Sequence, residues 1–405
     1  MIFLKRVNIL RIDDHRRQVI DVLPYMALLL FVSVWALVEW TSAQAAQPVQ
    51  ESSPQQAHVS DLFSLKLPLG LSPQQFHIPA DNPLSEAKVD LGRLLFFDMR
   101  LSADDSVACS TCHSPEKVFS DNVRLPTGID GRQGTRNTPA LINRIGGLEQ
   151  FRDGRAVTLE EQAKVPLINP VELGMPDHEA VVKKVQSISG YRVMFETVFG
   201  REVNIEDLAR AIASFERTIV SWNSRWDQFV AGDESVLTNS EMRGLIVFLG
   251  KGRCIQCHSG WNLTDEKYHN IGIGWDLPEP DAGRYEVTKN ENSRGAFRTP
   301  TLRDVALTGP YMHDGRFDTL EQVVEYYANG VIANPYLDVE MRRSNLSLEE
   351  TLELFNQENR SVRKKEFPVQ KLDLTEQETT DLVGFMEALA GEGWQDISAP
   401  DAFPE

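Results

Sequence analysis

Apolar residues recur along this chain with helical spacing wherever the pattern is clear. Leu208, Ile212, Phe215 and Ile219 form one stripe, starting just after a capping residue at Asn204. Thr238-x-x-Glu241 is a capping box opening a helix that runs toward Cys254. Thr375-x-x-Glu378 opens the last helix, with Leu382, Phe385, Met386 and Leu389 on its buried face. Most of the remainder reads as loop. The pattern predicts an all-α chain with long loops and little β structure.

The start of the chain follows a different rule. Val22 to Val38 is apolar apart from Pro24, Tyr25 and Ser33, and Lys5, Arg6, Arg11, Arg16 and Arg17 precede it. Ser42-Ala43-Gln44-Ala45-Ala46 then supplies a small-x-small cleavage pattern. Residues 1–45 are therefore expected to be a signal peptide. A retained membrane anchor is the alternative, since 17 apolar residues is close to the shortest span. Residues 46–79 are expected to be a tether, polar and turn-rich from Gln47 to Ser60.

Charge narrows the partners. The 405 residues carry a formal charge of −18, and loss of the leader would make it −19, from 36 basic and 55 acidic groups. So acidic a chain suits neither nucleic acid nor an anionic lipid surface. The leader places the mature protein outside the cytoplasm, in the periplasm. The length suits two or three domains.

All four cysteines fall in two Cys-x-x-Cys-His motifs, Cys109–His113 and Cys254–His258. This pattern attaches haem c: two thiols add to the porphyrin vinyls and the adjacent imidazole ligates iron. A zinc site of two Cys-x-x-Cys knuckles would use four thiolates but leave the repeated histidine unexplained, as would paired disulfides. The chain also repeats itself. Shifted by 161 residues, Thr138–Glu160 matches Thr299–Glu321 at nine of 23 positions without a gap. It reads as a duplicated haem domain. Residues 341–371 are charged, lack a counterpart in the first half, and read as a surface insertion with solvated charges.

The repeat separates the two irons. Tyr327 in the second half falls in register with Pro166 in the first. Proline has no side-chain donor, so the first haem is expected to keep an open face while a tyrosine oxygen caps the second. His313, Met312 and Tyr326 are the other candidates for that cap. His58, His77, His178 and His269 read as surface or loop residues.

At this point the residues resemble a known family. Leu91–Asp98, Arg136–Pro139, Asp153–Arg155, Asn169–Glu172, Thr299–Arg303 and Leu307–Gly315 resemble the bacterial di-haem cytochrome c peroxidases and, within them, the MauG-like branch. The likeness covers about residues 80–395. It implies two tandem cytochrome c-like domains, 80–222 with the peroxidatic haem and 223–395 with the second, followed by a tail at 396–405. It implies Glu172 and Gln162 in the first distal pocket beside Pro166, and Tyr327 as ligand to the second iron. Ile129 stands where the cytochrome c peroxidase branch has a ligating histidine, and Arg152 where the family has a tryptophan between the haems. Trp222, Trp226 and Trp261 are the candidates to replace that tryptophan, with core packing as the alternative for each. Asn137, Thr308 and Pro310 match positions that hold a calcium ion, chiefly through carbonyl oxygens.

The implied activity is reduction of hydrogen peroxide, with Glu172 moving its proton. Ile129 and Tyr327 favour oxidation of a protein partner. A cytochrome c peroxidase fed by a small redox protein is the rival, and a non-enzymatic di-haem electron carrier a third reading. The resemblance also implies pairing into a homodimer.

Overall fold

The computed structural model describes residues 75–344, 346–347, 349–350 and 368–405, all within one unit, His58–Glu405. The leader 1–45, the tether up to residue 74 with His58, and most of the 341–371 insertion lie outside the described residues. Among the described residues no helix is long and apolar enough to cross a membrane.

The first core is built on two helices, Glu86–Phe97 and Ile205–Glu216. Asn204 caps the second as its sequence predicts, its side chain accepting from the Asp207 N–H at 2.9 Å. That helix ends before Ile219, which is nevertheless buried. The two helices pack at Gly92, where a Cβ would stand 1.9 Å from the Ala211 carbonyl oxygen. Close approach lets Phe96 reach Phe215 and Phe119, at centroid distances of 5.1 and 6.2 Å. Each fully buried phenylalanine contributes roughly 1.5–3 kcal/mol. Helices Leu159–Ile168, His178–Ser187 and Ser189–Phe199 complete this half.

The second core repeats the device. Helices Asn239–Leu249 and Glu376–Glu387 each begin with the expected capping box, at Thr238/Glu241 and Thr375/Glu378. They pack at Gly244, where a Cβ would stand 1.9 Å from the Asp381 carbonyl oxygen. Phe385 lies 5.2 Å from Phe248 and 5.6 Å from Trp226.

Smaller details follow the 161-residue shift. Thr158 and Thr319 cap helices Leu159–Ile168 and Leu320–Asn329. Gly154 and Gly315 both have positive φ, as do Asn143 and Asp304. The bridge Gln150–Ala156 has its twin in Tyr311–Phe317.

Strand structure is slight. Tyr268–His269 pairs antiparallel with Phe297–Arg298, and this ribbon fastens the second half to the first. Arg298 N–H donates to the Arg152 carbonyl at 2.7 Å, and Glu266 binds Arg144 at 2.9 Å and Arg298 at 3.1 Å. The end of the chain returns to the first core. Trp394 joins that core, Arg93 donates to the Ser398 carbonyl, and Gly190 N–H donates to the Glu405 carbonyl.

Candidate functional site

In the first half, Cys109 opens a single helical turn, Cys109–Cys112, whose C-cap is His113. His113 Nδ1 lies 3.0 Å from the Phe119 carbonyl, so Nδ1 carries the proton and Nε2 is left to bind metal. Burial holds that imidazole below its usual pKa, in the neutral, ligating form. Burial also raises both thiols, Cys112 to about 12.

A cavity of about 610 Å³ opens on this motif and brings together Cys109, Cys112, His113, Gln162, Pro166 and Glu172. Helix Leu159–Ile168 carries Gln162 and Pro166. Glu172 follows on a turn fixed by Ile129, whose N–H donates to the Glu172 carbonyl at 3.0 Å. Asn169 Nδ2 donates to Glu172 Oε1 at 2.7 Å. Burial raises the Glu172 carboxyl, while Arg155 and Asn169 oppose the rise. Gln162 lines the cavity, and its Oε1 is buried without a partner.

The residues fit a haem c. A buried acceptor lacks a partner, one imidazole nitrogen is free, and Arg136, Arg152, Arg155 and Arg298 line the cavity, a positive lining that suits a group carrying two carboxylates. The zinc reading does not fit. None of the four thiols is in a disulfide, and the metal-competent clusters among the described residues never join the two cysteine pairs.

The second half follows the same plan. Cys254–Gln256 is a single 3-10 turn, and His258 Nδ1 lies 3.1 Å from the Leu263 carbonyl. Burial brings His258 down to about 4. Tyr327 is set among Cys254, Cys257 and Tyr326, and burial raises its phenol. The Tyr326 hydroxyl is already used, donating to the Ile271 carbonyl at 2.8 Å and accepting from Ile332 N–H. His313 stacks on Phe297 with centroids 3.7 Å apart.

The structure departs from the sequence reading at two residues. His269 is not a loose surface residue: it sits in the strand pair, with Nδ1 2.6 Å from Asp338 and Nε2 3.0 Å from Asp265. The two carboxylates hold the imidazole as a cation because each stabilises its charged form. Glu216 was missed. It lines the first cavity, is 3% exposed, has an unpartnered Oε2, and is pushed up to about 8 by burial. The available signal was its spacing of four and eight from Ile212 and Leu208, a charge within an apolar stripe.

Asn137, one of the expected calcium positions, meets Arg152. Asn137 N–H donates to the His313 carbonyl at 2.8 Å, in the loop that also holds Thr308 and Pro310. Both Asn137 oxygens accept hydrogen bonds from the Arg152 guanidinium. Among the tryptophans, Trp226 packs in the second core and Trp222 pairs with Glu392. Trp261 abuts Gly146 of the first half.

Comparisons with known proteins agree with this architecture. A family model described as di-haem cytochrome c peroxidase matches residues 86–235. The methylamine utilization protein MauG of Methylophilus methylotrophus is 36% identical over 333 residues, covering 81% of this chain and 89% of that protein. The cytochrome c551 peroxidase of Nitrosomonas europaea is 41% identical over 251 residues, 61% of this chain and 75% of the relative. Among solved structures, a MauG-like protein associated with microbial copper homeostasis superposes with a TM-score of 0.67 at 29% identity. It covers 82% of this chain and 96% of its own.

Proposed function

Because the chain belongs to the di-haem cytochrome c peroxidase family, oxidoreductases that act on hydrogen peroxide with two haem c groups, we propose a specific division of labour between its halves. The first half receives peroxide, and the second, closed by Tyr327, shares the oxidising equivalents and passes them to a partner protein. The leader pattern and acidic charge support a periplasmic setting. One observation carries this reading: Gln162, Pro166 and Glu172 share a cavity with the Cys109–His113 motif.

A haem c held by Cys109, Cys112 and His113 supplies a redox-active iron at which the O–O bond is cleaved. Pro166, which lines the same cavity, would offer that iron no competing side-chain donor. Gln162 Oε1 accepts a hydrogen bond from the entering peroxide and orients it. Glu172 takes the proton from the near oxygen and returns it to the far one, which leaves as water. Its raised pKa brings the carboxyl nearer the ambient range, and Asn169 keeps it aimed. The net reaction consumes two electrons and two protons per peroxide and yields two waters.

In the second half, Cys254, Cys257 and His258 would hold the other haem c, and Tyr327 would offer its iron a phenol oxygen. An anionic oxygen lowers the potential of that site, where methionine would raise it. This suits a site that shares oxidation rather than one that collects electrons from a high-potential cytochrome. Ile129 supports the same reading, because its apolar side chain offers no ligand and packs on Gly174.

Stopped-flow spectra after one equivalent of peroxide separate the readings. Reaction of the resting ferric protein supports the proposal. Reaction only after half-reduction means a peroxidase fed by a small cytochrome or cupredoxin, and no reaction means an electron carrier.

A further inference from the structure

The oxygens that the family resemblance gives to calcium already hold a cation belonging to the chain. Arg152 Nε donates to the Asn137 carbonyl at 2.8 Å, and its Nη2 donates to Asn137 Oδ1 at 2.6 Å. Both lengths are those of charge-assisted hydrogen bonds, and the rigid fork of the guanidinium matches the two acceptors. Asn137 is tied onward in two directions. Its N–H donates to the His313 carbonyl, and its Nδ2 donates to the Val123 carbonyl at 3.0 Å. Arg152 is itself anchored, its own carbonyl accepting from Arg298 N–H.

Calcium requires six to eight oxygens at about 2.3–2.6 Å. An ion bound to the same two Asn137 oxygens would stand within roughly 4 Å of the guanidinium, where repulsion of like charges is severe away from water. The surroundings are already rich in positive charge. Arg136 and Arg298 both act on Arg152, and the acidic groups facing it are Asp121 and Asp314. Asp153 and Asp281 are engaged by Arg136, and Glu266 by Arg144 and Arg298. Asp314 is paired through Oδ2 with Arg316 at 2.8 Å, which leaves Asp314 Oδ1, and Asp121, bonded to Thr138, as the carboxylate groups without a cation of their own.

We propose that Arg152 replaces calcium as the cation that holds Asn137, and through it the 308–315 loop, so that the junction between the halves is calcium-independent. Arg152 is thus a positioning residue. Its role is independent of which partner receives the oxidising equivalents.

Calcium content and stability of the holoprotein test this without any turnover assay. After treatment with EGTA and desalting, the wild type is expected to take up about zero calcium at ~1 mM free ion, a level that begins to fill even weak extracellular sites. Its melting temperature and haem spectrum should be the same in EGTA and in calcium. Arg152→Met frees both oxygens and should melt several degrees lower, regain roughly one calcium per chain, and recover stability as it does so. Arg152→Lys keeps the charge and should stay calcium-free with a smaller loss. One tightly held calcium in the wild type, with melting shifted by EGTA, would overturn the proposal. So would an Arg152→Met protein that is neither destabilised nor responsive to calcium. If Arg152→Met does not fold, the wild-type and Arg152→Lys measurements decide the matter.

Discussion

Pro166 and Tyr327 occupy the same place, the eighth residue of helices that each start after a capping threonine, Thr158 in one half and Thr319 in the other. Duplication thus placed Pro166 in the cavity of the first motif and Tyr327 near Cys254 and Cys257 of the second, and their side-chain chemistry differs. Removing the phenol oxygen by Tyr327→Phe should alter the spectrum of one haem only. Replacement by methionine should raise that haem's potential by on the order of 100 mV, a fraction of the ~0.8 V that axial ligands span. Spectroelectrochemistry of the two haems reads both effects.

Glu172→Gln preserves shape but cannot take a proton. Peroxide turnover should fall by roughly 10²–10⁴-fold, the usual weight of a positioned acid–base group. In the wild type the base form is required, so activity should drop as pH falls through the Glu172 pKa. Burial raises that pKa, which moves the acid limb to higher pH than an ordinary glutamate would give. The glutamine variant should lack this limb in a pH–rate profile.

Glu216 makes a stability prediction of definite sign. Its folded pKa of about 8 lies above the ordinary 4.5, so the folded protein binds the proton more tightly than the unfolded chain. This contribution therefore falls as pH rises from about 4.5 to about 8. Glu216→Gln should remove the dependence, with its largest gain in melting temperature near pH 8. Calorimetry at pH 5 and pH 8 checks this, and an equal effect at both would contradict it.

The helix crossings supply a matched pair of substitutions. Gly92→Ala drives a methyl into the Ala211 carbonyl, and overpacking of this kind costs about 1–3 kcal/mol. Gly384, in the helix Glu376–Glu387, meets nothing nearer than 3.8 Å at the same test. Gly384→Ala should therefore stabilise by about 0.4–1 kcal/mol, by restricting the unfolded chain. Thermal melting should move in opposite directions for the two variants.

What could be read in advance and what could not divide by range of interaction. Asn204, Thr238 and Thr375 were legible as caps because each contact spans three residues and leaves a fixed spacing in the chain. His269 was misread because its carboxylate at Asp338 is 69 residues away. Arg152 was recognised only as a missing tryptophan; that it would turn to Asn137 depends on how the loop before Asp153 folds back.

By itself, the sequence determined the two haem attachment motifs, the duplication, the helix starts and the proline–tyrosine contrast, because covalent spacing and short-range hydrogen bonds specify all of these. Only tertiary structure decided that Glu216 would face the first cavity, that Trp394 would return to the first core, and that a guanidinium would take both Asn137 oxygens. Those outcomes join residues far apart in the chain. They follow from which surfaces are desolvated together, and no local period encodes that.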